Sequence, residues 1–356
     1  TKNVICGVKQ VVYNDFNYLE EDTFELNQFS KNILASYNFK ELNTSSSKKE
    51  LGFPCVNFRG KNKLGTWFCG KVYIKGIHYY LVYQVSEKDN SFDNEFFSSF
   101  KLSDFIYINP LKEISDNDFH FKATDEVTDN ALSRFNEAYA RAYQATRPKK
   151  DTVKKDYDYR TGSKFYYSPS SNEYVNITYE KYNDYDYFTI KDIEEKTAKN
   201  IRNFAGLNST QIKTSHNDQL YTYESVLKDT ATSRAIALKI FIKNGMRYDI
   251  SAPFDTVIGL RGWTKGFMES FSPKDTVIGK NIFVNKFSGL LNDLSGSDTV
   301  LKRMADNSIQ GTLSMQKAYT DEFVNFISGA KLPFVHESSR AQLFVNGGTL
   351  ESDKII

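Results

Sequence analysis

The chain holds few of the residues that staple or break a fold. Its 356 residues include three cysteines, 7 prolines and 2 tryptophans. Cys6, Cys55 and Cys69 are odd in number and far apart, so no disulfide framework is expected and a reducing compartment is. No apolar run approaches the roughly 20 residues that cross a bilayer. Thr1-Lys2-Asn3-Val4-Ile5-Cys6-Gly7 lacks the apolar centre of a signal peptide, so no membrane partner is expected. A small first residue fits removal of an initiator Met, and release from a precursor would leave the same end. Charge of one sign is missing too. With 46 basic and 44 acidic residues the net charge is +2, which gives no overall field towards nucleic acid or an anionic surface.

The motifs of common chemistry are also missing. There is no Cys-x-x-Cys, His-x-x-x-His or His-x-His, and His78, His120, His216 and His336 are scattered, so no metal or other cofactor is expected. Gly259-Leu260-Arg261-Gly262-Trp263-Thr264-Lys265-Gly266 is glycine-rich and basic, but it matches neither phosphate-loop pattern and lacks the surrounding βαβ alternation. No G-x-S-x-G elbow occurs, and spacing pairs no two carboxylates across a cleft.

What is abundant is aromatic. Phe and Tyr number 28 and 23, and both favour pleated, half-buried surfaces and interfaces. The pattern predicts an α+β chain, rich in β-hairpins, with several short amphipathic helices and two or three subdomains. Three segments are expected: an N-terminal α+β domain over 1–120, a helix and basic linker over 121–155, and a C-terminal α+β domain over 156–356.

Thr23 is the expected cap of a helix over 23–37, in which Leu26, Phe29, Ile33 and Tyr37 recur at helical spacing. Residues 66–74 and 77–85 form a hairpin about a Lys75-Gly76 turn. A second joins 236–243 to 246–250 through Asn244-Gly245, the strongest short hairpin signal. Further helices are expected at 129–145, at 192–205 with Asp192 as cap, and at 298–306 and 314–328. Alternation of aromatic and polar residues over 156–190 predicts short strands with one wet face. Pro253-Phe254-Asp255-Thr256-Val257-Ile258-Gly259 recurs twenty residues on as Pro273-Lys274-Asp275-Thr276-Val277-Ile278-Gly279, a duplicated turn-strand unit. The two copies could present equivalent loops to repeated partners.

Candidate site residues follow from residue type. A cysteine nucleophile needs a base, and Cys69 could face His78 across the first hairpin. Cys55 and His336 complete the catalytic candidates. Binding candidates are Arg261, Trp263 and Lys265 at the tip of an exposed glycine-rich loop, Tyr157, Tyr159, Tyr185 and Tyr187 in the aromatic stretch, and Lys149 and Lys150 in the basic run 147–155. The leading expectation is a structural protein that packs with copies of itself or with partner structural proteins into a larger particle, a virion or phage component being the natural instance. It would sit in the cytoplasm or within the virus particle. A toxin-like effector or enzyme with a dispersed site, and a carbohydrate- or polyanion-binding module, are the alternatives.

Overall fold

The computed structural model describes residues 4–12, 19–45, 48–89, 91–126, 160–203, 207–217, 219–276 and 278–311. Mixed α+β architecture holds, with six helices and three antiparallel sheets among these residues. The helices expected at 129–145 and 314–328 and the basic run 147–155 lie outside them.

The first sheet has the order β1-β6-β5-β4-β2, with β3 on β4. These strands are β1 (Ile5–Val12), β2 (Lys40–Thr44), β3 (Lys48–Glu50), β4 (Phe53–Lys61), β5 (Trp67–Lys75) and β6 (His78–Ser86). The predicted hairpin is β5–β6, with Gly76 and Ile77 as its two-residue loop and Gly76 at φ 59°. Strand alternation puts Phe68, Val72, Ile74, Tyr79 and Leu81 on one face. Helix α1 (Asp22–Ser36) lays Leu26, Phe29, Ile33 and Leu34 against them. On the opposite face Cys55, Cys69, Tyr73 and Val82 meet Phe97 of α2 (Glu95–Ser99). Thr23 does not cap α1. The helix starts at Asp22, whose amide donates to Ala231 O at 3.2 Å, so its end is docked on a distant loop rather than capped locally.

The second sheet has the order β11-β12-β13-β14-β10-β9. Its strands are β9 (Arg160–Tyr167), β10 (Tyr174–Lys181), β11 (Asn208–His216), β12 (Leu220–Lys228), β13 (Arg234–Lys243) and β14 (Met246–Asp255). The two hairpins read from sequence therefore belong to different sheets. Ile236, Ile240 and Ile242 of β13 share a face with Tyr221 and Tyr223 of β12, and α3 (Ile190–Asn203) covers them with Ile193 and Ile201. The other face carries Ile250 and Ala252 of β14 and Ile177 of β10, under Trp263, Phe267 and Met268 of α4 (Gly262–Ser270). With both faces buried, β13 reads as nearly continuous apolar sequence.

Between β6 and β9 lie β7 (Leu111–Asp116) and β8 (Phe121–Glu126), which form the third sheet with β15 (Ser272–Pro273). Helices α5 (Phe287–Ser295) and α6 (Thr299–Gly311) close the described chain and pack on each other. The cap of α3 is Thr189, not Asp192. Asp192 N donates to Thr189 Oγ1 at 3.2 Å while Thr189 N donates to Asp192 Oδ2 at 2.7 Å, a reciprocal capping box.

Two further expectations change. The aromatic stretch forms strands β9 and β10, but 182–189 is a loop held by Asn183 and Asp186, whose side chains accept amide bonds from Tyr185 (2.9 Å) and Asn183 (3.0 Å). The first copy of the duplicated unit does not put Thr256, Val257 and Ile258 in a strand. In the first copy Asp255 ends β14 and takes the Val257 amide at 2.7 Å, which turns the chain at once. In the second, Asp275 is exposed and pairs with Lys243. The copies share sequence but not surroundings.

The Asn244–Gly245 turn has φ of 49° and 74°, as a type I′ hairpin requires. A Cβ on Gly245 would lie 2.7 Å from Lys280 O. Gly245→Ala is therefore expected to cost about 1–3 kcal/mol in urea unfolding, since strain and a backbone clash coincide. A variant as stable as the parent would contradict this geometry.

Candidate functional site at the seam of the two large sheets

Titratable groups are concentrated where the end of the β5–β6 hairpin meets the second sheet. Lys75 closes β5, His78 opens β6, Glu173 precedes β10, Asp255 closes β14 and Arg261 precedes α4. Each arrives at or beside a strand or helix end. Gly76 N donates to Asp255 Oδ2 at 2.9 Å, which ties the turn of the first hairpin to the second sheet. His78 Nε2 donates to Ser171 O at 2.7 Å, and its ring packs 4.7 Å from that of Phe105. Lys75 is buried. Its ammonium donates to Ser103 O at 2.6 Å, has Asp104 at 3.8 Å, and lies 5.3 Å from the ring centre of Phe105. Arg261 reaches the same Asp104 from the other side.

Carboxylates dominate the adjoining layer. Glu173 accepts from Tyr107 Oη at 2.7 Å and from Ser171 Oγ at 2.8 Å. Glu126, at the end of β8, accepts from Ser168 Oγ at 2.7 Å and from the Ser170 amide at 3.3 Å. Burial pushes Glu173 and Asp255 above the ordinary carboxylate range and pushes Lys75 and His78 below their ordinary values. All four shifts favour the neutral form, as desolvation does. With raised folded values, Glu173 and Asp255 contribute stability that is complete below the ordinary carboxylate range and is lost as pH rises through those values. The cavity among these groups has a volume of about 30 Å³, room for one or two waters and too small for an organic substrate.

A second joint lies beside α1. Arg234 Nη2 meets Glu25 Oε1 at 2.6 Å, its Nη1 donates to Tyr79 Oη at 3.2 Å, and Tyr79 Oη donates in turn to Glu25. Asp22 accepts the Ser233 amide at 2.8 Å. Burial outweighs the charge of Arg234 and holds Asp22 and Glu25 above the ordinary carboxylate range.

The residues singled out from sequence do not converge. Cys69 pairs with Gln84 and His78 with Lys75, so the two stand six strand positions apart, about 20 Å, and do not face each other. Cys55 is buried against Glu50 and Tyr73, and burial pushes its thiol up to about 12, well above the range of a nucleophile. Trp263 is not at an exposed tip. It is 1% exposed, because Gly262–Ser270 is a helix that turns this side chain inward, and its indole donates to Asp125 at 2.9 Å. Lys265 points outward and pairs with Glu269 at 3.8 Å, while Arg261 is held by Asp104. Tyr185 is buried and donates to Asp293 at 2.8 Å, and Tyr187 is half-buried. Tyr157, Tyr159, Lys149, Lys150 and His336 lie outside the described residues.

Sequence reading did not single out Glu173, Glu25 and Arg234, and it marked Asp255 only as part of the duplicated unit. Each is an ordinary charged residue in its own segment, and only tertiary pairing gives it a role. Among the described residues no group of three or more His, Cys, Asp or Glu side chains is placed to hold a metal. No helix among them is long and apolar enough to cross a membrane.

No protein-family model matches the chain, and no curated protein matches it. Among solved structures, it has 8% identity and a TM-score of 0.21 to the immunity protein TplEi of a type VI secretion system from Pseudomonas aeruginosa, over 77% of this chain and 92% of that one. It has 6% identity and a TM-score of 0.13 to the di-domain aromatase/cyclase BexL of the BE-7585A biosynthetic pathway, over 75% and 92%. Likeness at that level carries no inference about fold or function.

The environments of the three thiols separate them. Cys6 is exposed on β1, whereas Cys55 and Cys69 are buried. Titration of the native chain with an aromatic disulfide reagent is expected to release one equivalent promptly and three after denaturation. Rapid reaction of Cys55 in the native chain would overturn its structural assignment.

Proposed function

We propose that the chain is an assembly protein that packs with other copies of itself, or with partner structural proteins, along the open edges of its sheets. The observation that carries this reading is the chemistry of the outer strands. Among the described residues the only ladder partner of β1 is β6, and none of them pairs with its other edge. Ile5 is 63% exposed on that strand and Val8 54%. At the far edge of the second sheet, β9 pairs among the described residues only with β10 and exposes Phe165 and Tyr167, whose rings stack 6.2 Å apart. Apolar side chains on an unpaired edge are a template for another chain, and monomeric proteins commonly blunt such edges with charge or proline. Ile212 adds an exposed apolar residue on a third outer strand, β11.

Two further features agree with this reading. The net charge of +2 places little repulsion between copies. The residue types that would serve chemistry (Cys55, Cys69 and His78) are taken up in packing and hydrogen bonds.

Light scattering on the purified full chain at low micromolar concentration tests the proposal. The expected mass is a multiple of 40.9 kDa, and Val8→Lys or Phe165→Lys is expected to reduce it by placing a charge on one edge. A monodisperse 40.9 kDa species that both substitutions leave unchanged would refute self-assembly along these edges.

A further inference from the structure

A cleft beside the Asn244–Gly245 turn gathers more positive than negative charge. It is lined by Asp184, Asn244, Gly279, Lys280, Val284 and Lys286 among others, has a volume of about 420 Å³ and opens to solvent. That size falls within the range of small-molecule sites. Two lysines, Lys280 and Lys286, and one carboxylate, Asp184, line it, and Lys181 and Asp186 lie buried close by. The buried Lys181 donates to Asp184 Oδ1 at 3.0 Å and to Tyr182 O at 3.1 Å, so the charge of Asp184 is engaged below the cleft. The same Asp184 oxygen accepts the Lys280 amide at 3.2 Å. Asp186 accepts the Asn183 amide at 3.0 Å.

Lys280 and Lys286 carry the remaining positive charge. The Lys280 ammonium lies 5.2 Å from the ring centre of Tyr185. The Lys286 ammonium donates to Asn281 O at 2.6 Å, a neutral partner. Lys286 also immediately precedes α5, whose first turn holds no acidic residue. A lysine at the positive end of a helix is opposed by the dipole, and an anion placed there is favoured by both.

We propose that this cleft binds a small phosphate-bearing molecule, with the ammonium groups of Lys280 and Lys286 contacting the phosphate oxygens. The inference is independent of the assembly reading, because the cleft is built from the 183–186 loop, the β13–β14 turn and residues 278–286 and uses neither sheet edge.

The surroundings of Lys286 also set its protonation. Burial pushes its amine down to about 8, and the charged groups facing it are Asp186, Asp184, Lys280 and Lys181. A dianion beside it would restore the protonated form, so phosphate binding should weaken as pH rises through about 8.

The test is competitive amine labelling of the full chain, read by mass spectrometry from about pH 6 to about pH 10, a span that brackets ordinary and depressed lysines. The probes are inorganic phosphate, pyrophosphate and ribose 5-phosphate, each against chloride at matched ionic strength. Pyrophosphate is expected to lower Lys286 labelling at about pH 8 by about fivefold or more and to shift its midpoint upward by about one unit. Lys191, exposed on α3, should not change. Lys280→Gln, a substitution of an exposed side chain that leaves the core intact, should reduce the protection about tenfold. Protection at lower concentration by ribose 5-phosphate than by inorganic phosphate would assign an organic phosphate to the cleft, and the reverse would assign the free ion. Equal labelling in phosphate compounds and in chloride, equal protection of Lys191, or protection that survives Lys280→Gln would overturn the proposal.

Discussion

The relation between the two large sheets turns on Arg234. Its guanidinium is buried at the start of β13, in the second sheet, and contacts Glu25 of α1 and Tyr79 of β6, which belong to the first. Moving a guanidinium out of water is expensive, and it is tolerated where carboxylate and hydroxyl partners surround it. That requirement places α1. Asp22 and Glu25 must reach the 232–234 segment, so the helix begins on the second sheet and then runs across the first. The cap position of α1 is Glu21, whose side chain caps nothing, while Asp22 in the first turn serves Ser233.

The seam around Lys75, His78, Glu173 and Asp255 obeys a related rule. Polar groups there sit at strand ends, are desolvated, and are matched by specific protein partners. An apolar contact of equal area would stabilise without selecting one arrangement, because hydrophobic burial has no direction. Paired bonds such as Gly76 to Asp255 and His78 to Ser171 select one register between the sheets. The core clusters supply most of the stability, at roughly 25 cal/mol per Å² of apolar surface buried, and the seam sets how the clusters are arranged.

Much of the fold was legible in the sequence, because the strongest signals were local. Asn244-Gly245 dictates its turn without help from elsewhere, and the stripe of Leu26, Phe29 and Ile33 predicts α1 to within a residue. The site was much less legible. Trp263 in a glycine-rich run reads as an exposed tip, yet Gly262 at φ 62° lets a helix start there and turns the indole inward. Cys69 and His78 lie on facing arms, but register puts Gln84 opposite Cys69. Tyr185 follows an aromatic alternation that suggests a strand, while Asn183 and Asp186 supply side-chain acceptors that win the backbone for a loop. The seam carboxylates and Lys286 show nothing in local sequence, since their environment comes from segments 50 to more than 200 residues away in some cases.

The chain carries one tryptophan on each side of the seam: Trp67 on β5 and Trp263 on α4. Single-tryptophan variants, Trp263→Phe and Trp67→Phe, report the two halves separately in urea unfolding. If Arg234 couples the sheets, the two probes show coincident midpoints in the parent background. Arg234→Ala then separates them, at a cost of about 3–5 kcal/mol for the half that loses its partner first. Coincident midpoints that persist in Arg234→Ala, with less than about 1 kcal/mol lost, would contradict the account.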